Sequence, residues 1–149
     1  MIEQTLVLIK PDAMVKKLAG HILTDFYNLD LKMLGLKLVN VSKELAEEHY
    51  KEHKDKPFFE KLVKHIKGEL HNNENVIAIV YTGENAISKV RNFVGATHPE
   101  KAHPSTIRGK YGRWHSETDC FENVLHASDS IESAKKEISL WFKPEELIQ

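Results

Sequence analysis

Val76-Ile77-Ala78-Ile79-Val80-Tyr81 is the stretch on which the fold turns. All six residues are apolar, and all but Ala78 are β-branched or aromatic. Such a run has no polar face to give to water, so it reads as a central strand covered on both sides. Working outward, Leu6-Val7-Leu8-Ile9 is a second short apolar run, stopped by Lys10-Pro11-Asp12, as suits a buried strand ended by proline. Leu31 to Val41 carries Leu34, Leu36 and Leu38 on one face of a third strand, and Asn123 to Ser128 reads as a short fourth one. Between them, apolar positions 15, 18, 19, 22, 23 and 26 follow helical spacing. Ser42 is placed to cap a charged helix. Further helices are expected over Phe58 to Ile66 and Glu84 to Val94, and from Asp129 with a stripe of Ile131, Ala134, Ile138 and Trp141. Gly95 to Glu122 shows no period and contains two prolines; loops of this length inside a domain are usually functional. The order β-α-β-α-α-β-α-loop-β-α predicts an α+β fold of the ferredoxin-like, split βαβ kind. Its antiparallel sheet has helices on one face, and a long active-site loop is added.

The chain has 149 residues, 41% of them hydrophobic and 29% charged, which predicts one folded domain over 1–149 and excludes a disordered chain. No apolar run approaches the roughly 18–20 residues of a membrane span. The start, Met1-Ile-Glu3-Gln, lacks the basic segment of a secretory signal. Cys120 is the only cysteine, so no internal disulfide forms. These features point to a cytoplasmic protein without a membrane partner.

The net charge of −1 conceals an uneven distribution. From Ala86 to His115, Glu100 is the only acid, against Lys89, Arg91, Lys101, Arg108, Lys110 and Arg113. Clustered cations repel one another until an anion arrives, so this stretch predicts an anion site. The bases are interleaved with Tyr111 and Trp114, as in binders of single-stranded nucleic acid. A near-neutral whole chain argues against nucleic acid as the main partner.

No phosphate-binding GxxxxGK[ST] or GxGxxG loop is present. His49-Tyr-Lys-Glu52-His53 formally matches a zinc-peptidase pattern. In a chain with nine histidines and 22 acids a five-residue match carries little weight, and no resident metal is expected. The more pointed constellation is Asn123-Val-Leu-His126-Ala-Ser128-Asp129-Ser130. It puts one histidine at a strand end, directly before a helix that attracts negative charge. Neutral imidazole is a nucleophile toward phosphorus and titrates near neutral pH.

Taken together, Leu8-Ile-Lys10-Pro-Asp12, Lys56-Pro-Phe58-Phe, Gly95-Ala-Thr97-His98-Pro, Thr106-Ile-Arg108-Gly and the His126 segment resemble the nucleoside diphosphate kinase family. The likeness continues through Glu132–Ile138 to Trp141-Phe142 and covers essentially the whole chain. It implies transfer of the γ-phosphoryl group from a nucleoside triphosphate to a nucleoside diphosphate, with His126 as the phosphorylated residue. By the same correspondence Glu137 orients the far ring nitrogen of His126. Lys10, Tyr50 and Asn123 surround phosphates and sugar, Arg91, Thr97 and Arg108 hold phosphates, and Phe58 with Leu62 sandwiches the base. Mg2+ would arrive on the nucleotide. The resemblance also implies a homo-oligomer, with a hexamer favoured, and the tail from Trp141 to Ile148 reads as apolar surface needing cover. Members that serve as inactive scaffolds often lose the histidine; His126 is present.

Departures from the family pattern are Ala127 for a glycine after the histidine, His98 for the asparagine of GxTNP, Ser105 for a glycine, and Asp30 where a helix-ending glycine is common. Fourteen residues separate Arg108 from Asn123, more than in most members.

Overall fold

The structure is a computed structural model describing residues 1–149. Four strands form the main sheet: β1 (Ile2–Ile9), β2 (Lys32–Asn40), β3 (Asn75–Glu84) and β6 (Leu125–Ala127), ordered β2-β3-β1-β6 with every neighbouring pair antiparallel. With crossovers through α2 (Ala19–Phe26) and α5 (Ala86–Val94), this is the ferredoxin-like topology expected from sequence.

β3 is central, as its composition demands. Val76, Ala78 and Val80 enter one core with Leu6 and Leu8 of β1, while Ile79 and Tyr81 enter another with Val7 and Ile9. The expectation of helices on one face holds for the two crossovers only. α1 (Pro11–Val15), α2, α5 and α6 (Ile107–Tyr111) cover the second core. The opposite face is covered by α3 (Lys43–His49), α4 (Phe59–Ile66) and α7 (Ile131–Trp141). The reason is the two-sided apolar character of β1 and β3, which leaves neither face fit for water. No helix is long and apolar enough to cross a membrane.

Three local expectations are corrected. The helix expected over Val15 to Phe26 is broken, because Lys17 adopts a left-handed φ of 59° between α1 and α2. Gly95 to Glu122 is not irregular throughout. It holds α6 and a hairpin of β4 (Arg113–His115) and β5 (Cys120–Glu122), elements too short to show a period. Trp141 and Phe142 are buried in the first core rather than exposed. Asp30 takes the left-handed conformation (φ 52°) of the glycine it replaces, which aspartate tolerates better than most residues.

The strained point of the fold is Val124, a β-branched residue at φ 76° just before β6. Such a conformation costs about 1–3 kcal/mol and persists only where surroundings enforce it. Here the Val124 N–H donates to Asp12 Oδ2 (3.0 Å), and its carbonyl accepts from the Lys10 N–H (3.0 Å). Asp12 is fully buried, and its Oδ1 lies 3.0 Å from His65 Nε2. Burial alone would raise its carboxyl, but the His65 hydrogen bond, with Lys10 and Val124, holds it below the ordinary value. A depressed carboxyl adds stability that is present above its unfolded pKa and lost as pH falls through the folded one. Asp12→Ala is therefore expected to lower the unfolding free energy in urea by about 3 kcal/mol, since two buried donors lose their acceptor. It should also flatten the acid limb of the stability profile below pH about 4. A loss under about 1 kcal/mol would mean that Val124 is held by something else.

Candidate active site

β1 delivers Lys10 to the edge of a cavity of about 410 Å3 between α3, α4, α5 and the Asn123–Asp129 segment. Pro11 at the first position of α1 needs no N–H partner, so the chain can turn directly after the strand. The buried Lys10 Nζ donates to Asn123 Oδ1 (2.8 Å), and Asn123 Nδ2 donates to the Thr97 carbonyl (3.2 Å). Burial pulls the Lys10 ammonium down to about 8, with Asp12 opposing and the Arg108 charge adding to the fall.

Arg108 is buried in α6 and serves as an internal staple. Its Nε donates to the Asn123 carbonyl (3.0 Å), Nη1 to Gly95 (3.1 Å) and Nη2 to Leu125 (2.7 Å). A guanidinium has five N–H donors, so two remain for a ligand. Burial first, then Arg91, lowers its pKa to about 10. Arg91 itself, on α5, lines the cavity and makes no ion pair. The three cations so converge from the end of β1, α5 and α6; of the six bases in the acid-poor stretch, Arg91 and Arg108 line this cavity, and Lys89, Lys101, Lys110 and Arg113 do not.

His126 pairs with Leu8 across β6 and β1 and so faces the cavity from the sheet. Glu137 of α7 brings Oε1 to 3.0 Å from His126 Nε2, a close approach that falls short of an aligned hydrogen bond. The other carboxylate oxygen accepts from Ser128 Oγ (2.5 Å), which in turn accepts from the Leu6 N–H (3.1 Å). Glu137 is thereby fixed by the sheet backbone, leaving Nδ1 of His126 as the ring nitrogen not committed to it. Tyr50 is buried at the end of α3, and burial followed by Glu137 raises its phenol. Phe58, half-exposed at the start of α4, Leu62 one turn on and exposed Thr97 complete the wall. All the site residues expected from sequence line this one cavity.

His49 is the residue that sequence reasoning misplaced. It does not pair with His53: α3 ends at His49 and a separate tight turn holds 51–53, so the zinc-peptidase spacing lies on no common helix face. Its ring instead meets His126 edge-on, centroids 4.5 Å apart. His49, His126 and Glu137 offer ligand atoms within 4.8 Å of one another. However, Trp141 Nε1–H donates to His49 Nδ1 (3.1 Å), which puts the His49 proton on Nε2. A metal-bound histidine needs the reverse arrangement, its far nitrogen donating. Burial, then His126, keeps His49 well below the ordinary imidazole pKa. No local sequence signal marks it, because its neighbour Trp141 lies 92 residues away.

An imidazole held from behind by a carboxylate, in a cleft that Lys10, Arg91 and Arg108 also line, is suited to accepting a phosphoryl group. An aromatic platform nearby suits a base. The class that fold and site define is a nucleotide phosphotransferase of ferredoxin-like topology.

The comparisons narrow this further. The family model described as nucleoside diphosphate kinase matches residues 3–147. A nucleoside diphosphate kinase of Pyrococcus furiosus is 49% identical over 148 residues, covering 99% of this chain and 88% of the relative. Among solved structures, a halophilic nucleoside diphosphate kinase from Halobacterium salinarum in complex with CDP has TM-score 0.89 and 40% identity, covering 100% and 93% of the two chains. A transition-state mimic of the Borrelia burgdorferi enzyme with vanadate and ADP has TM-score 0.88 and 32% identity, covering 99% and 91%. The chain belongs to the nucleoside diphosphate kinase family.

Because the Lys10 ammonium is pulled down to about 8, its charge is lost in mildly alkaline solution. Affinity for a diphosphate anion such as pyrophosphate should therefore fall as pH rises through that value, and Lys10→Met should remove this limb. Calorimetric titration across pH checks it. A wild-type profile flat into the range where lysine ordinarily titrates would mean Lys10 is not the group responsible.

Proposed function

We propose that this chain moves the γ-phosphoryl group from a nucleoside triphosphate to a nucleoside diphosphate through a phosphohistidine on His126. The observation that carries the reading is the His126–Glu137 contact, fixed through Ser128 and opening on three cations. Nδ1 attacks the γ-phosphorus as the bond to the β-phosphate oxygen breaks. The nucleoside diphosphate leaves, and an acceptor's β-phosphate oxygen then reverses the step. The positive charge forming on the ring is opposed by Glu137. Arg91 and the two free donors of Arg108 bind equatorial oxygens, and Lys10, Asn123 and Thr97 position the phosphate chain. The Tyr50 hydroxyl supports the transferred group, while Phe58 and Leu62 hold the base by its face.

Mg2+ would supply charge neutralisation on the phosphates. The carboxylates of the wall fit its arrival with the nucleotide. Glu137 is committed to Ser128 and His126, hydrogen bonding from Ser133 outweighs burial in holding Asp129 low, and only Glu52 has no such partner. We read residues 1–149 as a single domain, working in the cytoplasm, where a lone cysteine without a partner is at home.

Incubation with γ-labelled ATP should label the protein at His126, with label lost in acid and kept in alkali, as a phosphoramidate requires. His126→Ala should lower turnover by more than about a thousandfold, about 4 kcal/mol of transition-state stabilisation, while nucleotide still binds. Glu137→Gln should cost much less. Acid-stable label on Ser128 or Ser130, or the opposite ranking, overturns the mechanism.

The same reading includes a homo-oligomer, hexamer favoured. β2 is an outer strand of the sheet, covered in part by the C-terminal tail but with Leu36 and Leu38 exposed, which a second copy would cover. Light scattering at micromolar concentration should return a hexamer mass; the 17.1 kDa of one chain would contradict it.

A further inference from the structure

We propose that His49 is a positioning residue for the reaction: an uncharged imidazole, fixed by the Trp141 indole, that holds the His126 ring in the orientation from which Nδ1 meets phosphorus. The inference rests on the phosphohistidine reading above and deepens it.

Glu137 does not orient His126 unaided. Its Oε1 lies 3.0 Å from His126 Nε2, yet the contact is not an aligned hydrogen bond. An imidazole without a directional bond turns about its side-chain torsions unless packing stops it. The ring packed against it is His49, whose plane stands at 81° to that of His126 with centroids 4.5 Å apart. An edge-on neighbour limits rotation only if it is itself fixed. His49 is fixed by Trp141, whose indole N–H donates to Nδ1 (3.1 Å), the two ring planes standing at 89°. The indole is buried in the first core and is a donor only, so this bond sets both the ring angle and the tautomer of His49. Trp141 and Glu137 are four residues apart on α7 and hence neighbours on one helix face. One helix thus reaches His126 twice: at the ring nitrogen through Glu137, and at the ring flank through Trp141 and His49.

The brace must also be uncharged. A ring nitrogen of His49 lies within 4.8 Å of a Glu137 carboxylate oxygen, and Ser128 already takes the other oxygen. A cationic His49 would compete with His126 for the one that remains, and would repel the positive charge forming on the ring. His49 shares the cavity with His126, Lys10, Glu137, Tyr50, Glu52 and His53, and an adjoining cavity of about 560 Å3 adds Glu48, Lys51 and Lys136. The acids and the lysines oppose one another, so burial decides. Burial first, then the His126, Lys10 and His53 charges, keeps His49 well below the ordinary imidazole value. Protonating Nδ1 would in addition break the Trp141 bond and strand a buried donor. Arg91, Arg108 and Asp129 share the cavity on the side of His126 only, outside the adjoining one.

The test follows phosphoenzyme formation from γ-labelled ATP in a single turnover with alkaline quench. His49→Ala should lower the rate at saturating ATP roughly tenfold to a hundredfold, with half-saturating ATP unchanged within about threefold. His49→Phe, which returns an edge-on ring, should recover most of the rate. Trp141→Phe keeps an apolar ring without the N–H; it should cost roughly threefold to tenfold and add nothing to His49→Ala in the double variant. In ring 1H–15N spectra of the wild type, His49 should carry its proton on Nε2 alone and show no titration between pH about 6 and 8. His126 should show one tautomer in the wild type and both in His49→Ala. A rate in His49→Ala within about twofold of wild type, no recovery in His49→Phe, additive losses in the double variant, or a His49 that titrates near neutrality overturns the proposal. Where the variants fail to fold, the wild-type spectrum decides it alone. Any of these outcomes with label on His126 leaves the catalytic reading standing; a wild type without that label strikes the catalytic reading instead.

Discussion

One buried carboxylate holds the site together. Asp12 sits at the start of α1 with no exposure to solvent, and its two oxygens face different parts of the chain: His65 of α4 and the N–H of Val124. Burying a carboxylate is costly unless hydrogen bonds replace the lost water, and these bonds are what make a left-handed valine tolerable. Because Lys10 N–H returns a bond to the Val124 carbonyl, β1 and the approach to β6 are locked in both directions. The lock fixes Asn123 against Lys10 on one side and turns His126 into the cavity on the other.

Around that lock the protein confines more positive charge than the surroundings favour. Lys10 and Arg108 are both buried and each lowers the other's or a neighbour's proton affinity, while Asp12 is the nearby acid opposing the trend. Arg108 resolves its own burial by spending three donors on the carbonyls of Gly95, Asn123 and Leu125, so the cation that faces a ligand also braces the backbone beneath it.

What could be read from sequence follows from where the physical signal is local. Val76–Tyr81 reveals a central strand because two-sided burial leaves a continuous apolar run; helices were expected on one face, and they cover both. α6 and the β4–β5 hairpin were hidden, since elements of five and three residues show no period. Trp141 was read both as the end of an apolar helix stripe and as the start of an exposed tail, and the stripe prevails; nothing local showed that the tail after it folds back onto β2, where Ile148 N–H meets the Leu34 carbonyl (2.8 Å). Within the site, the acid-poor stretch contributes Arg91 and Arg108 to the cavity, and the residues that the family motifs pointed to share it. The Arg108 staple and the His49–Trp141 contact were not legible. Both depend on backbone and side-chain positions distant in sequence, for which no local composition codes.

The hairpin shows how a fourteen-residue span is fitted between two residues that touch. Arg108 and Asn123 are bonded to each other directly, guanidinium to carbonyl, so the ends of the fourteen-residue span between them cannot separate. Additional residues must therefore leave and return at nearly the same place, and an antiparallel pair is the arrangement that does this while satisfying its own backbone hydrogen bonds. Its buried face is fixed by Glu122 and Cys120, which alternation along β5 turns away from the side of Phe121. Once Glu122 is drawn inward by Lys16, Arg113 and His71, Phe121 and its partner Trp114 share the opposite face. The anchoring of one buried carboxylate thus determines which side chains the insertion presents beside Phe58. The Arg108 staple itself stays outside the hairpin, on α6.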